Sequence, residues 1–346
     1  MRPLIRQTQI DQAADCLKKG GLVAMPTETV YGLAADASND AAVRKIFAAK
    51  GRPADHPLIV HIASIKELPH WAIEIPDYAF KLAEQYWPGP MTLILKKQAH
   101  VLDSVTGRQN TVGIRIPQHT VAQQLLKAFG GGLAAPSANR FGQISPTSAA
   151  HVQKHLGDVV DIILDGGNCG IGIESTIIDC SGDSPRILRP GMITETMLKD
   201  TIGLGASLRW HDTLDKTPES PRVSGELPSH YAPQTLTRLL DAKTIDNILT
   251  NTETKNIVIL SSRKPIIHHI KLYDSRVPHR SPYIDPNICS WIVMPTEPYA
   301  YAHHLYQQLH FADSLHCQEI LIEHVPDAPE WIGILDRITK ASNHKR

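Results

Sequence analysis

The alternation of two hydrophobic periodicities through the first two hundred residues constrains the fold of this chain more than any other feature. Short apolar runs such as MTLILKK (91–97) and TVGIRIP (111–117) are typical of strands. The segments DAAVRKIFAAK (40–50) and TVAQQLLKAF (120–129) have the spacing of amphipathic helices instead. Many strands of mixed character with interleaved helices predict an α/β domain built on a twisted mixed sheet. We expect further strands at 22–26, 57–62, 131–137, 159–167, 175–180 and 186–191, and further helices at 9–19 and 77–87.

A second, smaller domain follows a change in composition after about residue 205. Residues 211–235 are rich in Pro, Ser, Thr and charge and lack a hydrophobic period, which is typical of a linker. Beyond them we expect parallel strands at 256–262, 291–295 and 319–326, with helices at 297–315 and 330–342. The predicted division is a first domain (1–205), a linker (206–235) and a Rossmann-like α/β domain (236–346). Two domains of ~100–200 residues suit the length of the chain.

Composition excludes several classes of function, and the balanced charge does not indicate a binding partner. Lys+Arg and Asp+Glu both number 35, so a nucleic-acid role would need a local basic surface. Five scattered cysteines without a CxxC pair argue against a disulfide framework or a structural zinc site. The P-loop, GxGxxG and HExxH motifs do not occur, so we expect no metal held by side chains. No run resembles a signal peptide or a membrane span, which predicts a cytoplasmic protein.

Small polar residues cluster in loops at the ends of three predicted strands. PTETVYG (26–32) and AAPSANRFGQIS (134–145) follow strands, and GIGIEST (170–176) precedes one. These loops offer side-chain hydroxyl and amide groups at Thr27, Thr29, Ser137, Asn139, Ser145 and Ser175. Hydroxyls, free backbone N–H groups and cations are what a polyphosphate cradle requires. Turn chemistry selects the same residues, so it is their recurrence at several strand ends that favours a binding site.

Four basic side chains stand beside these predicted strands. Lys50 and Arg52 precede the strand at 57–62, where they either serve an anionic ligand or belong to a solvated basic loop. Arg115 lies inside an apolar run, where an unpaired charge would be costly. It either forms an internal ion pair or awaits a ligand carboxylate, and we favour the ligand because a guanidinium grips a carboxylate with two hydrogen bonds. Arg189 raises the same question less sharply.

Seven ordered motifs resemble those of the YrdC-like family of L-threonylcarbamoyladenylate synthases. They are PTETVYGL, KIFAAKGRPADHPLIVHI, YWPGPMTLIL, TVGIRIP, APSANRFGQISPTSA, GIGIESTIID and RILRPG, which together cover about residues 10–200. HYAP in the linker and LDRITKA near the end resemble the long form of the family, which has an additional C-terminal domain. The resemblance implies a YrdC-like twisted mixed sheet with helices around an open cavity, followed by that second domain.

The resemblance also implies a nucleotidyltransferase. Enzymes of this family make threonylcarbamoyl-adenylate and pyrophosphate from L-threonine, bicarbonate or CO₂, and ATP, for the threonylcarbamoyl modification of tRNA (t6A37). Carried over position by position, it implies L-threonine contacts at Thr29, His61, Arg115, the backbone of Ala135, and Ser175. It implies ATP contacts at Lys50, Arg52, His56, Thr111, Ser137, Asn139, Ser145, Arg189 and Tyr231.

Charge neutralisation is the chemistry that these residues suit. The reaction needs no covalent enzyme intermediate, in line with the lack of a recognisable Ser/His/Asp or Cys/His set. We expect Lys50 and Arg52 to be catalytic, together with Arg189, by neutralising charge that develops on the phosphates. Mg²⁺ is expected to arrive with ATP. The tRNA and the proteins that transfer threonylcarbamoyl to it are expected as further partners, and no membrane is.

Two alternatives stay open on the residues alone. A concave basic sheet could dock tRNA or double-stranded RNA without chemistry, although Thr29, Arg115 and Ser175 suit a small amino acid better. A carbamoyl-transfer enzyme of related fold would carry acylphosphatase and zinc-finger segments, for which the cysteines are lacking. The linker VSGELPSHYAP (223–233) lacks two cations found in the family's SPGMKYRHYAP, so the resemblance does not carry over a phosphate contact to the part before His230. We expect the second domain and the linker to gate the nucleotide cavity.

Overall fold

The chain forms two compact units. The computed structural model describes residues 5–203, 209–210, 220–251, 256–265, 270–277 and 289–343. Among these, the first unit contains the residues up to Phe141, Ser145–Gly170 and 174–226, and the second contains Gly142–Ile144, Ile171–Ile173 and the residues from Leu227. Residues 220–226 of the predicted linker thus belong to the first unit, and 227–235 to the second. The division at residues 205 and 235 stays a prediction, and residues 211–219 of the linker lie outside the described residues.

The elements follow one another in mixed order. The helices are α1 (Gln7–Lys18), α2 (Asp40–Lys50), α3 (Leu68–Trp71), α4 (Asp77–Tyr86), α5 (Asp103–Thr106), α6 (Thr120–Phe129), α7 (Ala149–Leu156), α8 (Glu195–Ile202), α9 (Ala242–Asn251), α10 (Pro298–Ser314) and α11 (Ile332–Ser342). The strands are β1 (Val23–Met25), β2 (Gly32–Asp36), β3 (Ile59–His61), β4 (Ala72–Ile73), β5 (Met91–Lys97), β6 (Thr111–Arg115), β7 (Leu133–Ala134), β8 (Ile162–Ile163), β9 (Thr176–Asp179), β10 (Arg186–Arg189), β11 (Arg209–Trp210), β12 (Leu236–Leu240), β13 (Ile257–Ser261), β14 (Lys271–Asp274), β15 (Ser290–Val293) and β16 (Glu319–Glu323).

The first unit is built on a mixed sheet, which confirms the predicted α/β class. Its described strands run in the order β11-β10-β9-β5-β6-β3-β7-β2-β1-β8, with β4 beside β5. The seven-residue β5 is central: it pairs antiparallel with β6 and parallel with β9. Its first five residues are all buried, as expected of a strand covered on both faces. The amphipathic helices α2, α4 and α6 turn buried residues such as Ile46, Leu82 and Leu125 inward.

The second unit is a smaller α/β layer. Five described strands pair in the order β12-β16-β13-β15-β14, and every pair is parallel. The parallel strands expected near 256–262, 291–295 and 319–326 are confirmed. Ile259, Trp291 and Leu321 from three adjacent strands form its core with Ile245 of α9. The Rossmann-like label for this unit stays a prediction.

A membrane-crossing helix is not found among the residues that the structure describes.

Gly132, just before β7, is held in a place that has no room for a side chain. A Cβ atom there would lie 2.3 Å from Cζ2 of Trp71 and 2.7 Å from Cγ1 of Val60. Both contacts are far inside van der Waals distance, and Trp71 and Val60 are themselves buried core residues. The close approach of the chain to Trp71 at the start of β7 therefore depends on glycine.

We predict that Gly132→Ala destabilises the first unit by about 1–3 kcal/mol, because overpacking displaces buried neighbours. Gly182→Ala is the matched control, since a Cβ there meets nothing within 4 Å. Urea unfolding of both variants measures the difference. Equal free energies of unfolding for the two variants would contradict the packing argument.

Candidate active site

A buried ion pair stands at the end of β6. Arg115 Nη2 donates to Oε1 of Glu28 at 2.5 Å, and Glu28 Oε2 accepts the backbone N–H of Gln118 at 3.0 Å. Arg115 Nε donates to the carbonyl of Gly89 at 3.1 Å. The two charged side chains are only 5% and 9% exposed. Of the two alternatives left open for Arg115, the internal ion pair is thus present, as burial of the charge demands, and the favoured carboxylate ligand stays a prediction.

Arg115 also contacts the PTETVYG loop (26–32). Its Nη1 donates to the Thr29 hydroxyl at 2.8 Å. A guanidinium has five N–H donors, and the bonds to Thr29, Glu28 and Gly89 use three of them. Counting contacts with the described residues, two N–H groups of this guanidinium thus remain beside a buried hydroxyl, and this geometry can hold a small carboxylate.

His61, the last residue of β3, pairs in register with Arg115. Burial lowers the pKa of His61 to about 3, and the charge of Arg115 acts in the same direction. Its Nδ1 lies 3.3 Å from the carbonyl of Ile59, which accepts a hydrogen bond in the tautomer that carries the proton on Nδ1. Ala135 donates its N–H to the same carbonyl at 3.0 Å. The His61 imidazole is therefore neutral near neutral pH.

Ser175 joins the residues predicted for threonine to those predicted for ATP. Its hydroxyl lies 2.8 Å from the hydroxyl of Thr92, and Arg189 Nη2 donates to it at 3.1 Å. Arg189, the last residue of β10, also donates from Nε and Nη2 to the carbonyl of Ser175. These groups are buried, so the position of Ser175 is fixed by Arg189 and Thr92 together.

Residue 224 occupies the space between two predicted phosphate-binding arginines. Arg52 Nη2 donates to the Ser224 hydroxyl at 3.1 Å, and Arg189 Nη1 donates to the Ser224 carbonyl at 3.0 Å. Next to it, Val223 packs against Ile94 and Ile177. Thr111 lines the same part of the sheet surface. Both arginines are therefore turned toward one point, where they contact hydroxyl and carbonyl oxygens.

Lys50 is hydrogen-bonded to the loop at 134–145. Its Nζ donates to the carbonyls of Ser137 and Asn139 at 2.5 and 2.6 Å. Complete burial, and secondly the charge of Arg52, hold the pKa of Lys50 well below its ordinary value. The Lys50 carbonyl accepts the N–H of Phe141 at 2.9 Å, so both ends of this residue shape the loop.

The remaining predicted residues fall into separate places. The His56 ring packs edge-on against Phe141 at 5.2 Å, and burial, then Arg52, lowers its pKa. Ser145 donates to Oε1 of Glu174 at 2.6 Å, and both side chains are buried. Tyr231 belongs to the second unit, where its ring lies 5.8 Å from Tyr306 and 5.2 Å from the Arg337 guanidinium. Its contact with ATP stays a prediction.

Four further residues of the site were not assigned from the sequence: Glu28, Thr92, Glu174 and Ser224. Glu28 had a usable signal, because a buried arginine needs a counter-charge and an acid stands in the PTETVYG loop. Thr92 and Ser224 had none, since a serine or threonine reveals no partner by its own position. Among the described residues, no group of three His, Cys, Asp or Glu side chains could hold a metal ion.

Comparison with known proteins gives matches to both units. A family profile of the Sua5/YciO/YrdC group, described as "Telomere recombination", matches residues 15–191. Another, described as "Threonylcarbamoyl-AMP synthase, C-terminal domain", matches residues 193–343. A threonylcarbamoyl-AMP synthase of Pyrococcus abyssi is 44% identical over 67% of this chain and 68% of the relative. One of Schizosaccharomyces pombe is 31% identical over 99% of this chain and 90% of the relative.

Solved structures are similar along almost the whole chain. The crystal structure of P. abyssi Sua5 complexed with L-threonine has a TM-score of 0.84 and 33% sequence identity, and the match covers 98% of this chain and 96% of that one. A structure of a doubly substituted variant of P. abyssi Sua5 gives a TM-score of 0.85, also at 33% identity, over 99% and 95% of the two chains.

We predict that Glu28→Ala destabilises the protein by about 3–5 kcal/mol, because it leaves the buried Arg115 charge without its partner. Glu195→Ala, which breaks the exposed pair with Lys199, is the matched control and should cost under about 1 kcal/mol. Denaturant unfolding of both variants measures the two losses of stability. Similar losses in both variants would show that Arg115 does not depend on Glu28.

We predict that His61 makes the protein acid-sensitive. Its folded pKa of about 3 lies below the ordinary 6.5, so the unfolded chain binds the proton more readily. The stability that this supplies is complete above pH 6.5 and is lost as the pH falls towards 3, at about 1.4 kcal/mol per unit. Between pH 6.5 and about 5, His61→Gln should therefore lose about 2 kcal/mol less than the wild type. Thermal unfolding at both pH values measures this, and parallel losses would contradict it.

Proposed function

This chain belongs to the threonylcarbamoyl-AMP synthase family, and we propose that its first unit makes threonylcarbamoyl-AMP and pyrophosphate from L-threonine, bicarbonate or CO₂, and ATP. The observation that carries this proposal is the fixed guanidinium of Arg115. It offers two N–H groups beside the buried Thr29 hydroxyl, which suits the carboxylate of a small amino acid.

In this proposal each polar group of L-threonine has a partner in the protein. The carboxylate binds the two remaining N–H groups of Arg115, and the neutral His61 and the Ser175 hydroxyl face its other polar groups. The amine must be neutral to attack the carbon of CO₂, and the carbamate oxygen then attacks the α-phosphorus of ATP as pyrophosphate leaves. Every step depends on alignment and charge rather than on a covalent enzyme intermediate.

ATP binds on the side of the two arginines that converge on Ser224. Arg52 and Arg189 there exchange oxygens of residue 224 for phosphate oxygens, which carry more charge and bind guanidinium more strongly. Lys50 keeps the Ser137–Asn139 loop in shape beside them. Mg²⁺ supplies further neutralisation as part of the Mg–ATP complex, which needs few protein ligands.

The product is an activated carbamoyl adenylate, so a consumer of it must exist. We assign that role to tRNA and the proteins that transfer threonylcarbamoyl to it. We also place the protein in the cytoplasm, on the ground that all five of its cysteines are free thiols.

Pyrophosphate release from ATP tests the proposal directly. Release should require both L-threonine and bicarbonate, and L-serine and L-valine should substitute poorly. A folded protein that releases no pyrophosphate under any mixture would overturn the synthase assignment. Measured tRNA affinity would then test the alternative of an RNA-binding module.

We predict that Arg115→Ala raises the KM for L-threonine by at least about tenfold and leaves the KM for ATP within about twofold, since loss of a charged hydrogen bond costs about 1.5–3 kcal/mol. Steady-state pyrophosphate release at varied threonine and varied ATP measures both constants. Thermal unfolding checks that the variant is folded under the assay conditions. Equal rises in both KM values would mean that Arg115 has a structural role only.

A further inference from the structure

Thr27 is a fully buried hydroxyl residue that the reaction described above does not use. It is 2% exposed and precedes Glu28 in the loop between β1 and β2. Its Oγ1 lies 2.6 Å from the carbonyl of Val30, which can only accept. The single hydroxyl proton of Thr27 is therefore used in that bond. The backbone N–H groups of the adjacent residues Thr29 and Val30 both point at the same oxygen at 3.2 Å, so they share one of its two lone pairs, fix its position and leave the other lone pair for a further donor.

The Thr29 hydroxyl is thereby given one orientation. It lies 2.9 Å from Thr27 Oγ1, and since the Thr27 proton is engaged elsewhere, Thr29 must donate. Arg115 Nη1 donates to Thr29 at 2.8 Å. A hydroxyl has one proton and two lone pairs. Thr29 donates its proton to Thr27 and accepts from Arg115 with one lone pair, so its second lone pair remains for a ligand. Towards a ligand it can only accept.

We propose that Thr27 is a positioning residue for the amino-acid pocket, because it makes Thr29 a fixed acceptor for the α-amine of L-threonine. The proposal rests on the function proposed above. The amine is the donor nearest to a carboxylate bound on Arg115, since one carbon separates the two groups, whereas the threonine hydroxyl is one carbon further away. Thr29 lies against that same guanidinium.

The polarity of Thr29 matters for the chemistry. The neutral amine uses its nitrogen lone pair to form the bond to the carbon of CO₂, one C=O electron pair moves to oxygen, and one N–H proton leaves to solvent. A hydroxyl that donated to the amine would occupy that lone pair and block the attack. A hydroxyl that accepts an N–H holds the amine and leaves the lone pair free.

The test is the kinetics of Thr27→Val. Its Thr29 hydroxyl loses its acceptor and can turn toward the amine. We expect kcat/KM for L-threonine to fall about tenfold, as for loss of one hydrogen-bond contact, with the KM for ATP within about twofold. Thr27→Ser keeps the hydroxyl and should restore both values. Thr106→Val is the matched control, because it removes a buried hydroxyl that has no partner among the described residues, and it should behave as the wild type.

Three results would overturn the proposal. These are an unchanged kcat/KM for threonine in a folded Thr27→Val, an equal rise in the KM for ATP, and a Thr27→Ser variant as impaired as Thr27→Val. Failure of the wild type to release pyrophosphate would count against the proposed function instead, and threonine binding by calorimetry without ATP would still report on the pocket.

If Thr27→Val does not fold, ligand binding to the wild type decides. Calorimetry compares L-threonine with (3R)-3-hydroxybutyrate, which keeps the carboxylate and hydroxyl and lacks the amine. Binding of the hydroxy acid should be at least about tenfold weaker if Thr29 accepts from the amine. Equal affinities would overturn the assignment of Thr29 as the amine acceptor.

Discussion

The ion pair between Arg115 and Glu28 is the constraint on which the candidate site depends. Burying a guanidinium to 5% exposure is costly without a counter-charge, and Glu28 supplies one from a loop 87 residues earlier in the chain. The pair ties the loop after β1 to the end of β6. Because the ends of β3 and β6 lie in register, it also sets the distance from this loop to His61. The two opposite charges of the pair cancel, so the pair adds no net charge at this point of the fold.

The other cations of the site act in the same way on a smaller scale. Lys50 and Arg189 each donate N–H groups to backbone carbonyls, and in doing so fix the loops that carry Ser137 and Ser175. Buried cations that hold polar loops in place keep the polar groups of those loops preorganised. The reaction requires alignment more than acid–base chemistry. A site made of rigid cations and buried hydroxyls is adequate for that.

The second unit is a parallel sheet whose packing brings two sequence motifs together. Its described strands are all parallel and its core is continuous from β13 through β15 and β16. The ring of Tyr231 lies there near both Tyr306 and the Arg337 guanidinium, so the HYAP segment and the LDRITKA segment meet within one unit. Two motifs about a hundred residues apart in sequence thus share a single packing site.

The sequence by itself determined the class of fold and much of its detail. Periodicity placed β5 and the helices α2 and α6 at the residues where they lie, because hydrophobic spacing is a local property that survives any tertiary context. It missed β2, whose Gly and Ala residues carry no strand signal, and it overestimated the short strands β7 and β8. Ordered motifs gave the family. Only the tertiary structure decided which charges pair and that Lys50 bonds the Ser137–Asn139 loop. Those are contacts between residues far apart in the chain, and they leave no trace in local sequence pattern.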